Sequence, residues 1–134
     1  MSQLTSNLQQ EFETPSPFSD VLVADNVKIF RGSALGFVSG YARQLVNGDT
    51  FIGFAETSAD NTLLGHAAGA KSVSVRRYGF VKLAVASVAI TNVGADVLAT
   101  DGNTYNLAVG SYIGKVHRFI STGFAIVSFD LSNP

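Results

Sequence analysis

The chain has 134 residues and contains no cysteine, no tryptophan and only two histidines. Without cysteine it can form neither a disulfide nor a thiolate metal site, and two histidines do not supply the four ligands of a structural zinc ion. Charged residues make up 14% of the sequence, whereas roughly 25% is typical of soluble domains. We therefore expect no metal, no cofactor and no catalytic centre.

The few charges are nearly balanced, with nine Lys and Arg against ten Asp and Glu. Phosphate binding needs a basic excess on one face, so nucleic acid is not an expected partner. The sequence has no run of about 18 apolar residues, so no membrane partner is expected. Residues 1–5 also lack the basic region and apolar run of a secretory signal. The expectation is a protein that is made and assembled in a cytoplasm.

Aromatic residues are plentiful beside this low charge, with ten Phe and four Tyr. Interface cores are enriched in aromatic residues and depleted of charge. The composition therefore indicates that other protein chains cover part of the exterior.

Residues 1–20 differ from the rest, being rich in Ser, Gln, Asn, Thr and Glu, with prolines at Pro15 and Pro17 that disfavour regular structure. We interpret them as an extended N-terminal arm. Leu4 and Leu8 are also compatible with one helical turn. The arm is either an untethered tail or a segment that docks on a partner through its sparse apolar residues.

Residues 21–134 have the pattern of a single β-rich domain, with short apolar runs or alternation between turn residues. We expect strands near residues 21–23, 27–30, 35–38, 51–55, 72–78, 80–86, 96–100, 104–108, 112–119 and 123–129. Turns are expected at 47–48, 101–103 and 121–123. Residues 56–71 are expected to form a loop with one helical turn at 61–64. The fold class is all-β, a small β-barrel or β-sandwich.

Candidate catalytic groups are few. His66 lies in a Gly/Ala loop and His117 in a strand, and neither belongs to a nucleophile motif. A glycosidase-like acid pair would have to use Asp60, Asp96 or Asp101, of which the last two have the pattern of turn residues. We expect all of these to be structural or solvated groups.

Two further motifs, one for phosphate binding and one for nucleic-acid binding, lack the structural context that such binding needs. Residues 65–72 end in Lys-Ser like a phosphate loop, but the glycine spacing is wrong and a strand follows, whereas a phosphate cradle needs a helix N-terminus. Arg76, Arg77 and Tyr78 could stack on single-stranded nucleic acid. Consecutive strand residues point to opposite faces, however, so the two arginines would not act together.

Four segments in this order resemble the capsid decoration, or cement, proteins of tailed bacteriophages. They are 53–56 (GFAE), 69–79 (GAKSVSVRRYG), 92–99 (NVGADVLA) and 113–116 (IGKV). That family has a G-F-A strand, a charged hairpin with a central glycine, a V-G-x-x-V turn and an I-G-x-V strand. The resemblance covers residues 27–131.

The resemblance implies a structural virion protein that binds the outer surface of an assembled capsid and stabilises it. The implied partner is the major capsid protein, the implied state is a trimer, and assembly takes place in the host cytoplasm. An arm that orders on a neighbouring subunit suits this role. We predict that the residues touching the capsid or a neighbouring subunit are Leu8, Phe12, Pro15, Pro17 and Phe18.

A β-module that binds carbohydrate or a host surface is the alternative. Its stacking platforms would be Tyr41, Tyr78, Tyr105 or Tyr112, although the absence of tryptophan counts against it. An enzyme with an unrecognised site is the third and least favoured possibility.

Overall fold

The computed structural model describes residue 6, residues 18–63 and residues 66–131, and these contain twelve strands and one 3₁₀ turn. The strands are β1 (Phe18–Leu22), β2 (Lys28–Ile29), β3 (Ala34–Val38), β4 (Tyr41–Gln44), β5 (Phe51–Ala55), β6 (Ala59–Asp60), β7 (Ser72–Arg76), β8 (Tyr78–Ala84), β9 (Asp96–Asp101), β10 (Thr104–Asn106), β11 (Ser111–Ser121) and β12 (Phe124–Asp130), with the 3₁₀ turn at Ile90–Asn92. No helix in this described part of the chain is long and apolar enough to cross a membrane.

The strands form three sheets. Sheet I has the order β1-β7-β5-β3-β4, sheet II the order β10-β9-β11-β12-β8, and sheet III consists of β2 and β6. All pairings between these strands are antiparallel. Sheets I and II pack together as a sandwich, and within the described ranges no closed barrel forms. The all-β prediction is confirmed, in its sandwich form.

The main core lies between sheets I and II and is centred on aromatic rings. Phe54 of β5 meets Phe129 of β12 edge to face, with ring centroids 4.9 Å apart, and Phe51 at 5.3 Å. Buried aliphatic residues of sheet II, such as Val97 and Val127, surround them. Edge-to-face pairs contribute about 0.5–1.5 kcal/mol beyond the area they bury, so these rings stabilise the contact between the sheets.

A second core lies on the other face of sheet I. Leu35 of β3 belongs to it while the preceding Ala34 belongs to the main core, because consecutive strand residues face opposite ways. Ile29 of β2 packs into this second core, so sheet III covers it. Every residue of β5 is buried as a result, since both of its faces are covered.

Gly53 lets β5 lie against β7. Its φ is +126°, and a Cβ at this position would lie 2.3 Å from the carbonyl oxygen of Arg76. The register with β3 shifts beside it, leaving Ile52 as an extra residue in β5. The strand predicted at 51–55 thus forms as β5, and its glycine provides both a bulge and a close approach to the neighbouring backbone.

In each of the two large sheets, a single backbone bridge brings the two edge strands close together at one end. Val23 pairs in parallel with Ala42, which brings the chain after β1 next to β4, and Val85 pairs in parallel with Tyr105, which brings the chain after β8 next to β10. Each sheet therefore curls so that its two edge strands approach each other at one end.

Several local predictions need correction. The strand β4 at Tyr41–Gln44 was not predicted, and neither was the 3₁₀ turn. The helical turn predicted for 61–64 is not formed by 61–63, where the buried Asn61 side chain instead donates to the carbonyl oxygens of Ala24 at 2.8 Å and Ala67 at 3.0 Å. The last three residues of the segment interpreted as the arm, 18–20, lie in β1, paired with β7.

Candidate interaction surface

Phe18 is the one predicted contact residue that the structure describes, because Leu8, Phe12, Pro15 and Pro17 lie outside the described residues. It begins β1, opposite Arg76 of β7, and is 40% exposed. The guanidinium carbon of Arg76 lies 4.7 Å from the centroid of the Phe18 ring, within the range of a cation–π contact. The ring is therefore exposed and held in place by its neighbour.

Arg76 also connects Phe18 to further side chains. Its Nε donates to Glu56 Oε2 at 3.4 Å. Arg76 and Glu56 line a depression of about 230 Å³ together with Arg31 and Phe80. We call Phe18, Arg31, Glu56, Arg76 and Phe80 the Arg76 surface. Phe80 is 66% exposed, the largest exposed fraction among the large hydrophobic residues that the structure describes.

The composition of the Arg76 surface is that of an interface. Exposed aromatic rings and arginine are the residue types that dominate binding energy at protein contacts. Phe18 and Phe80 also belong to edge strands, since β1 ends sheet I and β8 ends sheet II, and Arg77 is the only residue between β7 and β8. Edge strands offer backbone groups to an incoming chain.

The outer face of sheet II continues from Phe80. An extra residue in β11 places both His117 and Arg118 at the surface, because the register with β12 shifts between Val116 and Arg118. The rings of His117 and Phe80 lie 4.5 Å apart with an interplanar angle of 42°. The two rings come from β11 and β8, which lie on either side of β12, and form an exposed aromatic pair across it.

A cleft of about 470 Å³ opens where β11 and β12 separate. Tyr78 and Tyr112 line it, together with Lys115, Ser128 and Asp130 at its rim. We call it the fork cleft.

The other two tyrosines proposed as platforms do not reach this cleft. Tyr105 lies in the main core, where burial raises its pKa to about 12, and its hydroxyl donates to the Gly102 carbonyl oxygen at 3.3 Å. Tyr41 is half-buried in β4. Each of the four tyrosines lies in or beside a strand, so the sequence pattern does not distinguish the buried from the exposed ones.

The aspartates considered for an acid pair have local partners. Asp101 accepts from the Asn103 backbone N–H at 2.8 Å, and Asp60 accepts from that of Thr62 at 3.0 Å. Asp96 accepts from Lys115 Nζ at 2.6 Å, a hydrogen bond that raises the pKa of Lys115. These contacts agree with the interpretation of Asp101 as a turn residue and make Asp96 an ion-pair partner.

The histidines considered for catalysis are both exposed. Across residue 6, 18–63 and 66–131, no group of three or more His, Asp or Glu is placed to hold a metal ion.

No family model matches the chain, and no curated protein or solved structure is significantly similar to it.

Proposed function

We propose that this protein is a structural virion protein that binds the outer surface of an assembled phage capsid and stabilises it. The observation that carries the proposal is the Arg76 surface, where two exposed aromatic rings, Phe18 and Phe80, flank charged residues at the start of β1. The N-terminal segment with its predicted contacts joins the sandwich at this point. The resemblance of residues 27–131 to capsid decoration proteins supports the same function.

The partner in this proposal is the major capsid protein, and the protein acts as a homo-oligomer, with a trimer favoured. Each copy contributes a small contact area, and symmetry multiplies it, because the later contacts of a docked trimer are effectively intramolecular. The protein is assembled in the host cytoplasm and remains on the outside of the virion. It holds capsid subunits together and performs no chemical reaction.

The contacts within the Arg76 surface suit a role in binding capsid subunits. Arg76 is restrained by the Phe18 ring on one side and by Glu56 on the other. Restrained side chains lose less conformational entropy on binding than free ones, so more of the contact energy appears as affinity. Phe80, restrained by His117, benefits in the same way.

Co-sedimentation with empty, expanded heads of the cognate major capsid protein tests the proposal. We expect saturable binding at a fixed ratio to capsid subunits. Phe80→Ala should weaken it by about tenfold or more, because truncating a hot-spot aromatic to alanine costs about 2 kcal/mol or more and about 1.4 kcal/mol corresponds to tenfold. Val109→Ala is the matched control, since Val109 is also highly exposed but precedes β11 and does not line the Arg76 depression. Absence of binding, or equal losses in both variants, would contradict the proposal.

Deleting residues 1–17 distinguishes the contribution of the N-terminal arm to capsid binding from that of the β-sandwich. The deletion stops before Phe18 because that residue is paired with Arg76 in sheet I. A large loss of capsid affinity is expected if Leu8, Phe12, Pro15 and Pro17 contact the shell. Unchanged affinity would remove the arm from the mechanism and leave the Arg76 surface as the contact.

A further inference from the structure

The fork cleft arises from a mismatch in strand pairing within sheet II. The ladder between β11 and β12 begins at Lys115 and Ser128. Beyond this pair, β11 continues along β9, with Tyr112 opposite Leu98, whereas β12 continues along β8, with Asp130 opposite Tyr78. The two strands follow different neighbours and diverge, so the cleft lies between them.

The closed end of the fork depends on Gly114. A Cβ at this position would lie 2.1 Å from the Ser128 carbonyl oxygen, so no other residue permits this approach without a backbone shift. The register between β11 and β9 also shifts here, leaving Ile113 as an extra residue. The bulge and the glycine together set where the strands separate.

The lining of the cleft combines an apolar floor with a polar rim. Phe51, Ile113 and Phe129 are buried core residues that reach its floor, and Tyr78 and Tyr112 form its aromatic walls. A volume of about 470 Å³ falls within the ordinary range for small-molecule sites, which are mainly apolar with a few polar groups.

The charges at the rim favour a neutral ligand. Lys115 is already compensated by Asp96, 2.6 Å away, and the other charged residue that lines the cleft, Asp130, is acidic. An anionic ligand such as a phosphate or an acidic sugar would find no excess positive charge. The Asp130 carboxylate and the Ser128 hydroxyl oxygen, whose proton points to the Lys115 carbonyl oxygen at 3.4 Å, can instead accept hydrogen bonds from hydroxyl groups.

We infer that the fork cleft binds a short neutral saccharide of one to three rings. A pyranose ring has an apolar C–H face that packs on an aromatic side chain and a rim of hydroxyls that needs polar partners, and this cleft provides both. Tyr112 is the principal wall, Tyr78 the second, and Asp130 accepts from the sugar hydroxyls. This activity adds glycan binding to the proposed capsid role and does not depend on it.

Titration of ¹⁵N-labelled protein with maltotriose, cellotriose and chitotriose tests the inference. We expect at least one of them to bind with a dissociation constant of ~1 mM and to shift amide signals of residues 112–115 and 128–130. Tyrosine fluorescence gives a second readout, because the chain has no tryptophan to obscure it.

Two variants make the test specific. Tyr112→Ala should weaken binding by about tenfold or more, whereas Phe124→Ala should leave it unchanged, since Phe124 is an exposed aromatic of β12 that does not line the cleft. Tyr112→Ala should still co-sediment with capsids, so the two functions fail independently. No shift with any of the three sugars at about ten times that dissociation constant, or equal losses in both variants, would overturn the inference.

Discussion

Replacing Asp49 with alanine should destabilise the protein more than the loss of an exposed ion pair such as Lys115–Asp96. The Asp49 carboxylate accepts three hydrogen bonds, from Arg43 Nε at 3.0 Å, Arg43 Nη2 at 2.8 Å and the Val46 backbone N–H at 3.0 Å. It also packs against Gly36 of β3, where an added Cβ would lie 2.6 Å from the Asp49 side chain. One carboxylate thus connects β3, β4 and the turn before β5.

The magnitude follows from the number of bonds and from exposure. Hydrogen bonds to charged groups contribute about 1.5–3 kcal/mol each, but the three share one carboxylate and are not additive. The Arg43 side chain is 31% exposed, so water can replace part of what it loses. We therefore expect Asp49→Ala to lower the free energy of unfolding by about 2–3 kcal/mol.

Urea unfolding at pH 7 measures this loss, which corresponds to a midpoint shift of about 1 M for a typical small domain. Asp96→Ala is the control, because the side chains of the Lys115–Asp96 pair are more than half exposed, at 55% and 57%. Such surface pairs contribute less than about 1 kcal/mol. Equal midpoint shifts in the two variants would refute the reasoning.

The pH dependence distinguishes charge from packing. Hydrogen bonding from Arg43 holds the pKa of Asp49 below its usual value. A carboxyl with a lowered folded pKa stabilises the protein above its unfolded pKa of about 3.9 and loses this contribution as pH falls through the folded pKa. The gap between wild type and Asp49→Ala should therefore narrow below about pH 4. A gap that stayed constant there would assign the effect to packing.

Three further predictions concern stability. Gly114→Ala should lower the free energy of unfolding in urea by more than about 2 kcal/mol, because the new Cβ would lie 2.1 Å from the Ser128 carbonyl oxygen. A near-neutral result would mean that the backbone at the closed end of the fork cleft can shift to accept a Cβ. Tyr105→Phe should lower the free energy of unfolding by about 0.5–1.5 kcal/mol, because it removes the hydrogen bond from the Tyr105 hydroxyl to the Gly102 carbonyl oxygen. Since the pKa of Tyr105 is raised to about 12 by burial, wild-type stability should fall as pH rises from 10 towards 12, and Tyr105→Phe should lose this component. Phe54→Ala should cost about 3–5 kcal/mol in the same assay, and a smaller loss would place the ring outside the tightly packed core.

Local signals in the sequence predicted much of the fold. The turn at 101–103 joins β9 to β10, and the Asp101 side chain accepts a hydrogen bond from the Asn103 backbone N–H within it. This turn depends on three consecutive residues, so the local sequence is enough to predict it. The strand β4 was missed for the opposite reason. Its residues, Tyr-Ala-Arg-Gln, have no clear alternation, and the strand exists through its pairing with β3 and through the Arg43–Asp49 contact.

The candidate sites depend on contacts that are distant in sequence. Phe18 could be recognised as an apolar residue in a polar segment, but its position on Arg76 follows from the pairing of β1 with β7. The fork cleft needs β8, β9, β11 and β12 in one sheet and two strands that choose different neighbours. Alternation alone also leaves open whether Tyr105 or Tyr112 faces the core, since register decides this.

The strand order of sheet I has a consequence for synthesis. β1 is the first strand to be made but pairs with β7 (Ser72–Arg76), so it cannot form this pairing until the ribosome has delivered more than half of the chain. β11 and β12, by contrast, are neighbours in sequence and in the sheet, and can form a hairpin as soon as both have emerged. During translation β1 therefore stays unpaired until β7 has emerged, and its exposed edge is available to chaperones or to other nascent copies until then.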